Sequence, residues 1–151
     1  MQNRVNCGII SLSNYEGAEN MLLPSICLQG NCNDAINFYQ EVFGAEVRKI
    51  MYASDAPPEE VYDLPPDFVT YSEILIYGIP IMMIGGAEAP MSSEHFWFTL
   101  SFDSAEEATN IFNKLADGGE IKEPLAPQFW AALNGDVKDR FGITWNIGTK
   151  E

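Results

Sequence analysis

The chain is poor in histidine, in basic side chains and in cysteine. Its 151 residues include one histidine, His95, and eight lysines and arginines against 22 acidic side chains, for a formal net charge of -14. Phosphate backbones and anionic lipid are bound through clustered Lys and Arg, so this balance argues against nucleic acid and membrane partners. Solubility is the simplest consequence of such acidity, and attraction of a cationic ligand is a second. The three cysteines, Cys7, Cys27 and Cys32, are odd in number and have no CxxC spacing, which excludes a disulfide framework and a zinc knuckle and leaves reduced thiols. Long apolar runs are also missing: ILIYGIPIMMIGG is broken by Gly and Pro, and Arg4 followed by CGIISL lacks the small-residue cleavage site of a signal peptide. A cytoplasmic protein is expected. No GxGxxG follows a strand, so no nucleotide site is indicated by motif.

What is present suits a packed core, with 46% hydrophobic and 12% aromatic residues. Residues 1–20 show no sustained periodicity and are read as an extension. Glu16-Gly17-Ala18 can be encoded by a purine-rich stretch of the kind that precedes a bacterial start codon, so translation is expected to begin at Met21. A flexible or strand-adding arm is the alternative.

From Leu22 the pattern is a short strand, then Asn33 as N-cap of a helix through NDAINFYQEVF that stops at Gly44, with Ile36, Tyr39, Val42 and Phe43 on one face. AEVRKIMYA reads as a strand, ASDAPPEEVYDLPPD as a loop, and FVTYSEILIYG with IPIMMIGG as a hairpin turned at Gly78. The order then repeats. FWFTLSF is a strand, SAEEATNIFNKLADGG a helix opening at Asp103 or Ser104 and closing at Gly118 and Gly119, and EIKEPLAP, QFWAALNG and ITWNIG are strands, with GDVKDRFG as a hairpin turn. AINFYQEVFGAEV also lies over ATNIFNKLADGGEI in its letters, matching Ala35 with Ala108, Tyr39 with Phe112 and Val42 with Leu115. Duplication of one unit explains both levels of repeat.

LQGNCNDAINFYQEVFGAEV, FDSAEEATNIFNKLADGGEI and the tail FWAALNGDVKDRFGITWNI together resemble the vicinal oxygen chelate superfamily, which includes glyoxalases, extradiol dioxygenases and bleomycin and fosfomycin resistance proteins. Within it they are most similar to the PhnB-like branch, over about residues 22 to 148. The resemblance implies an α+β fold of two βαβββ modules, about residues 22–85 and 95–148, forming a cup-shaped mixed sheet in one domain spanning 21–151, usually in a homodimer. Branch members are sometimes labelled methyltransferases or demethylubiquinone enzymes, and no residue here indicates a methyl-donor fold.

Superfamily enzymes set His, Glu or Gln on inward-facing strands to hold a divalent ion that chelates two substrate oxygens. Counted from the helix motifs, those positions fall at Pro24, at Tyr71 or Glu73, at Phe96 with His95 beside it, and at Asn146. Pro and Phe have no ligating atom and Asn is a weak ligand, so no metal and no cofactor are expected. Tyr71, Glu73, Phe96, Phe98, Trp130 and Asn146 are expected to line an apolar cavity with a few polar handles, whereas Trp97 and Trp145 are assigned to core or interface. Glu73 is either a desolvated general base or cation partner, or a rim carboxylate paired with Lys49 or Arg48. Asp139 and Arg140 are read as a turn with local ion pairs.

The expected function is binding of an unidentified small molecule. The alternatives are sequestration of a cationic, planar drug of the bleomycin type, a metal-dependent lyase, isomerase or dioxygenase using Glu73 and His95, or a structural or regulatory dimer whose cup is filled by its own side chains. Catalytic residues are not assigned.

Overall fold

A computed structural model describes residues 22–30, 32–56, 64–86 and 95–150. The N-terminal extension, the expected start at Met21 and Cys7 lie outside the described residues. The chain forms two compact units, Met1–Pro90 and Met91–Glu151.

In the first unit β1 (Ser25–Cys27) leads to α1 (Asn33–Phe43), then β2 (Glu46–Tyr52), a 3-10 turn at Ala53–Asp55, β3 (Val69–Ile76) and β4 (Ile79–Ile84). The sheet order is β1-β4-β3-β2, with β1 parallel to β4 and the other pairs antiparallel. The helix α1 carries the chain from β1 to the far edge, where β2 runs in the same direction, and two antiparallel steps then bring β4 beside β1 as a parallel neighbour. Tyr77 and Gly78 turn the β3–β4 hairpin with φ of 48° and 80°, the two left-handed residues of a type I′ turn. One helical boundary differs from the sequence reading. Cys32, not Asn33, occupies the N-cap, because the first helical bond runs from the Ile36 N–H to the Cys32 carbonyl at 2.9 Å, and no side chain caps it. Gly44 closes α1 in the left-handed region at φ 66°, donating to the carbonyl of Gln40.

The second unit repeats this plan: β5 (Phe98–Phe102), α2 (Ala105–Ala116), β6 (Glu120–Gln128), β7 (Ala131–Lys138) and β8 (Thr144–Thr149), in sheet order β5-β8-β7-β6 with β5 parallel to β8. The expected α+β fold of two βαβββ modules is therefore observed. Ser104 takes the N-cap of α2, its hydroxyl accepting from the Glu107 N–H at 3.3 Å, and Glu106 and Glu107 favour the positive end of the helix dipole. Ala108, Ile111, Phe112 and Leu115 cover the buried Val137, Trp145 and Ile147 of the sheet.

The strand boundaries around β7 require a correction. QFWAALNG is not one strand, and GDVK does not belong to a turn. Phe129 and Trp130 form a two-residue loop between β6 and β7, and β7 runs on through Gly135 to Lys138, so the next turn is confined to Asp139–Ile143. Both aromatics keep negative φ, since Tyr77 is the one non-glycine with positive φ among the described residues. The loop therefore lacks the Gly, Asn or Asp that marks a hairpin in a sequence. Gly135 is small for another reason. Pro124 and Leu125 of β6 together face this one residue, between the pairs Glu123↔Asp136 and Ala126↔Asn134, which makes a β-bulge.

The two described cysteines differ in reactivity. Burial pushes the Cys32 thiol up to about 12 from 9.0, with the nearby Cys27 adding to the effect, while Cys27 itself is exposed. The folded chain thus keeps a proton that the unfolded chain releases near 9.0, so this contribution to stability is complete below that pH and is lost as pH rises towards about 12. Iodoacetamide at pH about 8 is expected to label Cys27 and spare Cys32. Cys32→Ala should flatten the fall in stability above pH 9, and equal labelling of the two thiols in the native protein would contradict the assignment.

Candidate functional site

The sheet of the second unit has one apolar and one polar face. Trp145, Ile147 and Val137 turn towards α2, and strand alternation sends Asn146, Asp136 and Asn134 to the opposite side. There a pocket of about 260 Å³ is lined by Trp97, Trp130, Asn134, Asp136, Thr144 and Asn146.

The floor of the pocket is a hydrogen-bonded row. Asn146 Nδ2 donates to Asn134 Oδ1 at 3.0 Å and to Asp136 Oδ1 at 2.6 Å, and Asn134 Nδ2 donates back to Asn146 Oδ1 at 3.2 Å. The strand pairing sets this up, because Asp136 is directly opposite Asn146 and Asn134 opposite Gly148. Gly148 is itself required. A Cβ there would stand 2.9 Å from Asn134 Nδ2 and 2.9 Å from the Leu133 carbonyl oxygen, displacing the amide from its place beside Asn146. Trp97 and Trp130 form the walls, each about half exposed at 53% and 49%. Trp130 is braced edge-to-face by Phe129, with centroids 4.5 Å apart.

Of the six residues expected to line a cavity, Trp130 and Asn146 meet in this pocket. Phe96 and Phe98 are on the other face: Phe98 pairs with Trp145 in register and stacks on it at 5.0 Å, and Phe96 meets Phe98 edge-to-face. The expected alternation along β5 exists, but the set turned from the helix is the reverse of that expected, so Trp97 and not Phe96 joins Asn146. Asp136 escapes the sequence reading because QFWAALNG ends at Gly135, and Asn134, although inside that strand, has no partner there to mark it. Extending that strand by three residues brings Asp136 opposite Asn146 and onto the face that Asn134 shares, which is the signal that finds the pair.

Tyr71 and Glu73 belong to the first unit, on one face of β3, 4% and 7% exposed, while Ser72 between them turns to the opposite face. Burial pushes the Tyr71 phenol up, and the adjoining Glu73 carboxylate adds to this through its charge and a side-chain hydrogen bond. Lys49 is opposite Glu73 in register, yet its ammonium lies 5.8 Å above the Tyr71 ring, and Arg48 pairs with Glu46 at 3.6 Å. Glu73 is therefore a buried carboxylate beside a tyrosine, and among the described residues it forms no ion pair.

The positions that would hold a superfamily metal do not fit one. Pro24 and Phe96 have no ligating side-chain atom, Phe96 moreover lies on the face turned from the pocket, and the Asn146 amide is committed to Asn134 and Asp136. His95 is exposed in the turn before β5. Among the described residues no three His, Cys, Asp or Glu side chains come together as a ligand set.

Asp139 and Arg140 hold the ends of the elements that carry the pocket. Asp139 closes the β7–β8 turn, and Arg140 donates to the Asp117 carbonyl and pairs with its carboxylate at 2.8 Å, tying that turn to the end of α2.

Comparison with known proteins gives the family and the fold. The family described as 3-demethylubiquinone-9 3-methyltransferase matches residues 20–148. Protein YjdN of Escherichia coli (strain K12) is 33% identical over 139 residues, 83% of this chain and 92% of that protein. The structure of a putative 3-demethylubiquinone-9 3-methyltransferase, PhnB protein, from Bacillus cereus is 20% identical, with a TM-score of 0.72 over 86% of this chain and 99% of that one. The fosfomycin resistance protein FosX from Listeria monocytogenes is 14% identical, with a TM-score of 0.63 over 89% of this chain and 95% of that one. At those two identities the likeness is one of fold. Among the described residues no helix is long and apolar enough to cross a membrane. From the match over residues 20–148 and the relative at 33% identity, the chain belongs to the family described as 3-demethylubiquinone-9 3-methyltransferase, and it shares its fold with the PhnB protein and FosX.

Proposed function

We propose that this chain binds a small molecule in the pocket of its second unit, through aromatic walls and a hydrogen-bonding floor in place of the superfamily's chelated metal. The observation that carries the reading is the combination of two half-exposed tryptophans, Trp97 and Trp130, with the Asn134–Asn146–Asp136 row between β7 and β8. A large indole left in water gains by covering its face, and a polar row beneath it fixes the orientation of what covers it. The donor set of the pocket supports a site without a metal, since its lining holds one carboxylate, Asp136, and no His, Cys or Glu. The metal-dependent lyase, isomerase or dioxygenase reading would need ligands that these positions do not supply.

The test is a fragment screen on the full chain, followed through the tryptophan indole N–H resonances. Binding fragments are expected to shift Trp97 and Trp130 and to leave Trp145 in place. Trp130→Ala should weaken a hit roughly three- to tenfold, the equivalent of the ~0.5–1.5 kcal/mol of an aromatic contact. Hits that leave both wall residues unmoved, or a near-stoichiometric transition metal in protein purified without chelators, would overturn the reading.

A further inference from the structure

We infer that the pocket of the second unit selects a flat monocation with N–H donors along one edge, of the amidinium, guanidinium or protonated aminoheterocycle class. The inference rests on that pocket being the binding site and follows from the hydrogen-bonding capacity its floor has left. A carboxamide nitrogen has two hydrogens, and those of Asn146 Nδ2 go to Asn134 Oδ1 and Asp136 Oδ1, so this group has no donor to offer a ligand. The orientation of the amide is set by the carboxylate. Flipping it would place Asn146 Oδ1 2.6 Å from Asp136 Oδ1, oxygen against charged oxygen.

What remains is one hydrogen on Asn134 Nδ2, lone pairs on both amide oxygens and on both oxygens of Asp136, and the Thr144 hydroxyl, which serves in either sense. Acceptors outnumber donors, and one of them carries a full negative charge. Asp136 forms no ion pair among the described residues. Its charged neighbours do not neutralise it: Glu123 is opposite it on β6 and adds negative potential, and the Lys138 chain reaches towards Gly142 in the β7–β8 turn. The indole faces of Trp97 and Trp130 attract a cation and accept a planar group, so walls and floor favour the same ligand. An anion of equal shape meets a carboxylate and a floor short of donors.

Benzamidine, benzamide and benzoate have nearly the same shape and differ in charge and in N–H donors, so they separate these terms on the wild-type chain. Titrations are followed by the Trp97 and Trp130 indole N–H shifts. Benzamidine is expected to bind at least tenfold more tightly than benzamide, and benzoate to give no saturable shift. Asp136→Asn retains an oxygen for Asn146 and removes the charge, so it should bring benzamidine and benzamide to within about threefold of each other, with its unliganded melting curve as the folding control. Benzamide or benzoate binding as tightly as benzamidine, or a preference that survives Asp136→Asn, would overturn the inference while leaving the pocket as a binding site. If none of the three shifts either indole, the binding-site reading fails and takes the inference with it.

Discussion

Replacing Asp139 by alanine is expected to lower stability by about 3–4 kcal/mol, and the melting temperature by roughly 10 °C. The carboxylate is 3% exposed and accepts from the backbone N–H groups of Phe141 at 2.9 Å and Ile143 at 3.0 Å, and from the Trp145 indole N–H at 2.8 Å. Hydrogen bonds to a charged acceptor contribute about 1.5–3 kcal/mol each, and three that share one carboxylate add to less than their sum. Alanine removes all three and leaves the indole donor buried without its acceptor, since Trp145 is 1% exposed. Asp139→Asn should cost less than alanine but still destabilise, because one face of the new amide presents an N–H to a group that is itself a donor. Urea unfolding curves measure both variants. An Asp139→Ala protein that melts within about 2 °C of wild type, well under the shift expected for a lost buried network, would show that the turn is held by something else.

Gly135→Ala is expected to destabilise the chain by about 2–3 kcal/mol and to displace the pocket floor, as over-packing against backbone does. A Cβ at Gly135 would stand 2.7 Å from Leu125 Cα, 2.8 Å from its nitrogen and 2.9 Å from the Glu123 carbonyl oxygen. These are backbone atoms of the bulge in β6, so no side chain can rotate away. Because Gly135 sits between Asn134 and Asp136, the movement that relieves the clash shifts both floor residues against Asn146. Chemical denaturation gives the first effect. Loss of benzamidine binding, beyond the tenfold that separates it from benzamide, gives the second. A stable Gly135→Ala chain with unaltered indole shifts on ligand addition would remove the bulge from the account of the site.

Both positions lie in the segment the sequence resolved least well. In the helices, apolar spacing agreed with capping chemistry: Ser104 before AEEATNIF and Gly44 after NDAINFYQEVF each supply a local physical reason for a boundary. Phe129 and Trp130 offered no such reason. A turn without Gly, Asn or Asp looks like more strand, and Gly135, kept small by a bulge, looks like a turn. That one displacement hides Asp136, which is opposite Asn146 and carries the charge of the pocket floor.

The face assignments show the same division. The alternation Phe96-Trp97-Phe98 was plain from the letters, since successive strand side chains oppose each other. Which set meets the helix was not, because it depends on how β5 aligns with β8, and a shift of one residue exchanges the two faces. The pairing Phe98↔Trp145 decides it.

The sequence alone determined the repeated β-α-β-β-β order and both helices, because these depend on residue type and on spacing within a few residues along the chain. Only the tertiary structure decided that Trp97, Trp130, Asn134, Asp136 and Asn146 share one pocket. Strand register is a non-local quantity, set by a bulge and a hairpin turn that have no distinctive residues of their own.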